Sequence, residues 1–321
     1  MSGKAYNIVA SQFGETFSGL IEEIQRRNDE GLPISWNRPW MVDPASKKED
    51  ALVMGMSGLP INGGSNRMYS GSNVPVLYFT QLSKGWVDPR WFTFNQIKKL
   101  GLEFKDEIDR RHTKVLHYSE FESKDRRNDK DDGVRRSVRY YRVWNGSQLE
   151  MGALSLFGDG QPGAKLSGSD DKIVKRALDL GAEIRHGGSR AFYSPGFDFV
   201  QMPEEDKFHT NDGYHSVMYH ELTHWTGHTD RLNRKHPSPD ESDKKATFNE
   251  EYAWEELVAE LGASFLCSHT DRDCTPQHVE YLRIWKERAL KDPAALLQAA
   301  KCASDAAMML IPERDKKGGA R

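Results

Sequence analysis

His220-Glu221-Leu222-Thr223-His224 sets two imidazoles four residues apart with a carboxylate beside the first. On a helix, residues four apart stand one turn above the other on one face, so both rings can reach a single cation. Glu221 points to the same side and can take a proton from the attacking water, the general-base role of metal-dependent peptidases. A cation held by two histidines needs at least one more protein ligand and an open position. Trp254-Glu255-Glu256-Leu257-Val258-Ala259-Glu260 supplies candidates. Glu256 leads, and Glu255 is its rival, turned about 100° away on the same helix. Glu260, one turn after Glu256, can accept the free N–H of a ligand histidine and fix its tautomer. A row of glutamates is often a solvated face. Here Leu257 to Cys267 reads as a buried helix, and buried carboxylates need partners. Zinc is the default ion for two histidines and a carboxylate, and manganese or iron also suits these ligands. His215, His228, Tyr193 and Tyr252 are candidates for the missing oxyanion donor, each with packing as the alternative.

Those side chains require a helix beginning near Asp212 or Gly213 and a second at about Tyr252–Cys267, separated by the polar segment 229–250. Around them the sequence predicts a helix over Asp170–Gly181 and extended pieces at Glu183–His186, Ala191–Phe192 and Phe197–Met202. Two closing helices follow, near Val279–Leu290 and Pro293–Leu310. Phe197–Met202 is the expected edge on which an extended peptide could lie by strand addition. The first half opens with an amphipathic helix over 6–28, broken by Gly31-Leu32-Pro33. Residues 41–75 read as a long loop, Val76–Leu82 as helix or strand, and Gln96–Gly101 as a helix closed by glycine. Thr113–Phe121 and Ser137–Trp144 alternate as strands around a polar tip, Lys124–Gly133. The expected fold is α+β in two domains: residues 1–150 of mixed α/β character and a mainly helical 169–321, joined by a glycine-rich linker at 151–168.

The 321 residues carry a net charge of -3, unevenly distributed. Residues 1–150 hold 23 Lys+Arg against 20 Asp+Glu, so the totals of 45 and 48 leave 22 against 28 for the remainder. The first half also pairs rings with cations: Trp36, Arg38 and Trp40, then Arg67 and Tyr69, then Arg90, Trp91, Lys98 and Lys99. Single-stranded nucleic acid is bound by this combination, since bases stack on rings while phosphates meet Lys or Arg. Composition alone favours a core role for most rings; Tyr69, in a polar glycine-bearing loop, fits that least well. The three cysteines (Cys267, Cys274, Cys302) form no CxxC pair and suit a reducing, cytoplasmic setting. No apolar run is long enough to span a membrane, and Met1 to Ala10 lacks a signal-peptide layout.

Taken together, these residues resemble the ArdC-type antirestriction proteins. The likeness runs from Ser35-Trp36-Asn37-Arg38-Pro39-Trp40 through Pro60-Ile61-Asn62 and Arg67-Met68-Tyr69-Ser70-Gly71. It continues through Arg90-Trp91-Phe92-Thr93-Phe94-Asn95-Gln96 to Tyr141-Arg142-Val143-Trp144-Asn145. It is densest over His220–His228, Arg231–Arg234 and Glu255–Leu261. The resemblance implies an N-terminal domain binding single-stranded DNA and a C-terminal zincin-like, gluzincin-type metallopeptidase domain. By that implication His220, His224 and Glu256 hold the metal, Glu221 is the base, and Glu260 and His228 support them. It further implies protection of incoming plasmid DNA from host restriction during conjugation; a working peptidase in that role could take a host restriction component as its peptide substrate. The alternative is a non-enzymatic DNA-binding protein whose peptidase-like half is a metal-binding scaffold. In one departure, the basic turn the family usually carries after Leu100-Gly101 is replaced here by Phe104-Lys105-Asp106-Glu107-Ile108-Asp109.

Overall fold

The computed structural model describes residues 3–32, 58–86, 88–106, 110–122, 134–150, 171–234, 244–274 and 282–316. Trp36, Arg38 and Trp40, the polar tip 124–133 and the linker 151–168 lie outside the described residues.

The chain opens with α1 (Lys4–Asp29), whose stripe of Val9, Phe13, Phe17, Ile21 and Ile24 is buried. Arg26 and Arg27 in its last turn complement the negative end of the helix dipole. β1 (Ile61–Asn62), α2 (Asn73–Ser83), β2 (Arg90–Thr93), α3 (Phe94–Leu100), β3 (Glu103–Phe104), β4 (Thr113–Glu122), β5 (Val134–Asn145) and β6 (Leu149–Glu150) follow. The ambiguous run at 76–82 is helical. Every residue from Val74 to Leu82 is buried, so no amphipathic period exists there to be read. α3 starts with a Thr93/Gln96 capping box and stops at Gly101, whose φ of 64° falls in the left-handed region that glycine adopts freely.

Four strands form one sheet in the order β1-β2-β5-β4, and β3 pairs with β6 beside it. β4 is an edge strand, and side chains cover its outer backbone. Gln12 of α1 exchanges two hydrogen bonds with the Lys114 backbone, and Asn73 of α2 does the same with Leu116. Satisfying an edge this way removes a site of adventitious strand pairing.

The second half consists of α4 (Lys172–Asp179), β7 (Glu183–His186), β8 (Phe192–Ser194), β9 (Phe199–Met202), α5 (Asn211–Thr226), α6 (Lys244–His269), α7 (Leu282–Lys291), α8 (Pro293–Leu310) and the short α9 (Glu313–Lys316). Its sheet has the order β7-β9-β8. This corrects the edge expected at Phe197–Met202: β9 is the central strand, and β8 is an edge among the described residues. Met202 and Val200 are fully buried because they belong to a middle strand.

The two halves share one core. Phe13 and Phe17 of α1 pack around Phe79 of α2, and Phe79 packs in turn on Phe265 of α6. Tyr78 meets Phe265 edge-on at 5.2 Å, and its hydroxyl is 3.2 Å from Ser264 Oγ. Gly14 lets α1 approach the α7–α8 junction, since a methyl group there would collide with the Ala289 carbonyl oxygen and the Pro293 ring. A fragment ending near residue 150 would expose these apolar faces to water. Tests of the first half therefore belong in the full chain.

Candidate metal centre

α5 begins at a Thr210 cap, whose side chain accepts a hydrogen bond from the Gly213 amide. Its far side is anchored by a buried polar cluster. Tyr219 donates to Asp171, and His215 lies 3.4 Å from the same carboxylate, which also caps α4 and meets Arg272. His215 is thereby assigned to holding the helix and is not available as an oxyanion donor.

The opposite side of α5 carries His220, Glu221 and His224 into a cleft of about 860 Å³, which Glu255 and Glu256 of α6 also line. His220, His224 and Glu256 place one donor atom each within 4.8 Å of one another. The two Nε2 atoms are 3.2 Å apart, His220 Nε2 is 3.3 Å from Glu256 Oε2, and His224 Nε2 is 3.7 Å from Glu256 Oε1. Three donors at about 2.0–2.1 Å from a tetrahedral ion stand roughly 3.3–3.4 Å apart, so the trio fits a divalent cation. The electrostatics agree. Burial would lower the affinity of His224 for a proton, but hydrogen bonds to Glu255 and Glu256 and the negative charges of Glu255 and Glu221 raise its pKa to about 10. Burial opposes the charge on Glu256, yet its bonds to His220 and His224 hold it well below the usual carboxylate range. A site with this field favours positive charge.

His224 is oriented by a residue that the sequence offers as a rival ligand. Glu255, the rival ligand, faces His224 from the other side: its Oε1 is 3.1 Å from His224 Nδ1. Glu255 is held in turn by Arg234, whose Nε donates to Oε2 at 2.9 Å. Arg234 also bonds Thr226 Oγ1 at 3.0 Å and the Thr223 carbonyl at 2.9 Å, tying the segment after α5 back onto that helix. Gly227 leaves the space, because a Cβ there would lie 2.7 Å from the Arg234 guanidinium. Glu255 thus orients His224, the role that the sequence offers to Glu260 for a ligand histidine. Glu260 itself is completely buried one turn beyond Glu256. His228 stands on the cleft wall, its Nδ1 accepting from the Asp230 amide at 3.2 Å.

α5 and α6 meet closely where Gly262 passes Thr223: an added Cβ would lie 2.5 Å from Thr223 Cγ2. Gly262→Ala would gain up to about 1 kcal/mol of helix propensity, whereas overpacking a rigid core costs about 1–3 kcal/mol. Thr223 is β-branched and its hydroxyl is bonded to the Tyr219 carbonyl, so it cannot yield. We expect the substitution to lower the melting temperature and to weaken metal binding by spreading the two helices. Thermal unfolding and chelator competition measure both effects, and a raised melting temperature would contradict the contact.

Of the other oxyanion candidates, Tyr193 donates its proton to Asp198 at 2.9 Å and accepts from Arg231 at 3.3 Å. Tyr252 lines the cleft one turn before Glu256 and is 47% exposed. Of the four candidates, Tyr252 and His228 are the two that stand on the cleft wall without belonging to the Asp171 or Asp198 clusters.

The residues expected to touch DNA separate into three sets. Arg67 is exposed, and Tyr69 is half-buried with its hydroxyl accepting from Asn62. Lys98 and Lys99 are exposed on α3. Arg90 and Trp91 are corrected: Trp91 is fully buried with its indole directed at Gln81, and Arg90 is buried and paired with Asp88 at 3.0 Å. They brace β2 and present no face to a ligand, because a strand paired on both sides buries its aromatic residues in the core.

Residues 15–145 match the N-terminal domain of the anti-restriction factor ArdC, and residues 171–302 match the zincin-like metallopeptidases. Two crystal structures of the antirestriction protein ArdC from plasmid R388 superpose on the chain at 26% identity, covering 95% of it and 99% of ArdC. The TM-score is 0.62 for the metal-free form and 0.60 for the Mn(II)-bound form. The chain is an ArdC-type protein. Relatives of this ArdC-type chain include the DNA primase TraC of Escherichia coli, 30% identical over 83% of the chain. The matched region spans only 24% of that primase. The protein y4eC of Sinorhizobium fredii is 29% identical, with 77% of this chain and 79% of y4eC covered. Among the described residues, no helix of the ArdC-type chain is long and apolar enough to cross a membrane.

Proposed function

We propose that the chain is a metal-dependent peptidase that also binds single-stranded DNA and protects incoming DNA from host restriction. The observation that carries the peptidase reading is the spacing of His220, His224 and Glu256, with Glu221 on the same cleft wall. His220, His224 and Glu256 would hold the ion; zinc suits the donor set, and the Mn(II)-bound ArdC structure makes manganese its main competitor. A bound divalent ion supplies Lewis acidity toward the attacking water and the scissile carbonyl.

The chain's own groups do the rest. Glu221 takes the proton of the attacking water and delivers it to the leaving amine nitrogen. Tyr252 or His228 donates a hydrogen bond to the carbonyl oxygen as negative charge develops there. Among the described residues β8 has one unpaired edge, and its residues Phe192 and Tyr193, with Pro195 beyond them, line the cleft. An extended peptide would add to that edge through backbone hydrogen bonds. A component of a host restriction system is the proposed substrate, acted on in the cytoplasm.

Purified protein incubated with a mixed peptide library, with and without a chelator, tests the reading by mass spectrometry. Metal-dependent cleavage is expected. Intact peptides at full metal occupancy would remove the peptidase claim.

A further inference from the structure

One surface of the N-terminal half was not singled out in sequence and does not belong to the metal cleft. Arg110, Arg111, His112 and Lys114 line a second hollow of about 540 Å³, just before and at the start of β4. The segment is held from below. The Trp144 indole donates to the Arg110 carbonyl at 2.9 Å, and the Gln148 amide donates to the Arg111 carbonyl at 2.8 Å. With both carbonyls fixed, the two guanidinium groups stand exposed to solvent. Lys114 pairs across the strands with Arg142, and Arg142 shares a face with Trp144 two residues on. His112 packs on Trp144 at 5.9 Å.

Rings lie beneath and beside this basic patch, with Trp144 itself buried. Lys98 lies 4.9 Å from the Phe94 ring, Phe94 is 6.0 Å from Trp144, Trp144 is 5.8 Å from Phe104, and Arg110 is 5.9 Å from Phe104. Phe94 is 45% exposed at one end of the row. In the β3–β6 pair, Glu103 and Glu150 are in register on the face opposite Phe104 and Leu149. Among the described residues Arg110, Arg111, Lys114 and Arg142 form no salt bridge, whereas Arg90 is closed onto Asp88. Burial and the positive charges of Arg142 and Lys114 both depress the pKa of His112. The cations therefore act together on one small volume. A merely solvated surface tends to intersperse both signs of charge, and it does not fix its cations over a row of aromatic rings.

We infer that this groove, from Phe94 and Lys98 across Trp144 to Arg110, Arg111, Lys114 and Arg142, is where single-stranded nucleic acid docks. A base stacks on Phe94 and the adjoining phosphates meet Arg110, Arg111, Lys114 and Arg142. This rests on the single-stranded DNA reading above and relocates it, away from Arg90 and Trp91. Rings and cations in one track fit a single strand, whose bases are free to stack; a duplex would use the cations alone.

The test uses the full chain and a labelled oligothymidine, followed by fluorescence anisotropy over a range of salt. R110S/R111S/K114S is expected to weaken binding at least about tenfold near 0.1 M salt and to flatten the log–log salt slope by about 2, at roughly 0.7 per phosphate contact. F94A is expected to weaken binding at least about fivefold while leaving the slope unchanged, as loss of a stacked base would. K84S, at the exposed end of α2, should bind as the unaltered chain does. Circular dichroism and the melting temperature confirm that each variant is folded. Unchanged affinity and slope in the triple variant would overturn the groove while leaving DNA binding intact. Equal affinity for a duplex would overturn the stacking role, and no binding by the unaltered chain would remove the DNA reading and the groove with it.

Discussion

Glu221→Gln is expected to retain bound metal while lowering peptide hydrolysis by about 10²–10⁴-fold, the usual contribution of a positioned general base. Glu221 is 8% exposed and lines the cleft between the two histidines, so glutamine of the same shape preserves packing and removes only the ability to accept a proton. Three readouts are needed from one preparation: metal stoichiometry, cleavage of a peptide the unaltered chain cuts, and plasmid transfer into a restricting host. Loss of cleavage and of protection with metal retained supports catalysis as the protective activity. Protection that survives with metal bound and cleavage lost assigns the effect to DNA occupancy, with the peptidase-like half as a scaffold. Loss of metal instead would show that Glu221 belongs to the ligand set.

The centre was legible because its chemistry is periodic. Two histidines four apart and a glutamate on a second helix imply convergence on one point, and α5 and α6 bring those donors within 4.8 Å. What the pattern could not assign was direction around α6. Glu255 and Glu260 are both plausible neighbours of a ligand histidine by spacing. Glu255 is fixed against His224 by Arg234, which reaches it from a segment with no regular period. Gly227, whose missing side chain admits that arginine, was the available signal. The same limit explains the DNA residues. Rings and cations adjacent in sequence, such as Arg90 and Trp91, suggest a surface, but β2 is buried on both faces over Arg90-Trp91-Phe92, so the pattern there carries no sign of which side faces solvent. The groove at Arg110–Lys114 draws Phe94, Phe104 and Trp144 from three separate elements, so only the sheet register assembles it. The extent of the shared core was likewise invisible, because α1 and α2 satisfy their apolar faces with helices more than 150 residues away.

Glu256→Ala is expected to weaken metal binding by clearly more than 100-fold, and Glu255→Gln by about 10–100-fold, the usual effect of losing a partner that only orients a ligand. The ranking follows from geometry. Glu256 places an oxygen 3.3 Å from His220 and another 3.7 Å from His224, within the donor triangle, and is 4% exposed. Glu255 touches only the far nitrogen of His224 and lies against Arg234. Glutamine is the right replacement at Glu255, because alanine would leave the buried Arg234 guanidinium without its partner, a disruption that can cost about 3–5 kcal/mol and would confuse folding with binding. Competition against a fluorescent chelator gives the two affinities. Unfolding with and without added metal gives them independently, since stabilisation grows as RT ln(1 + [L]/Kd). The reverse order, with Glu255→Gln losing the metal and Glu256→Ala keeping it, would transfer the third ligand to Glu255. In that case α6 must turn by about 100° on loading, which would disengage Glu255 from Arg234 and make the Arg234 contact a latch on the empty site instead of a brace for His224.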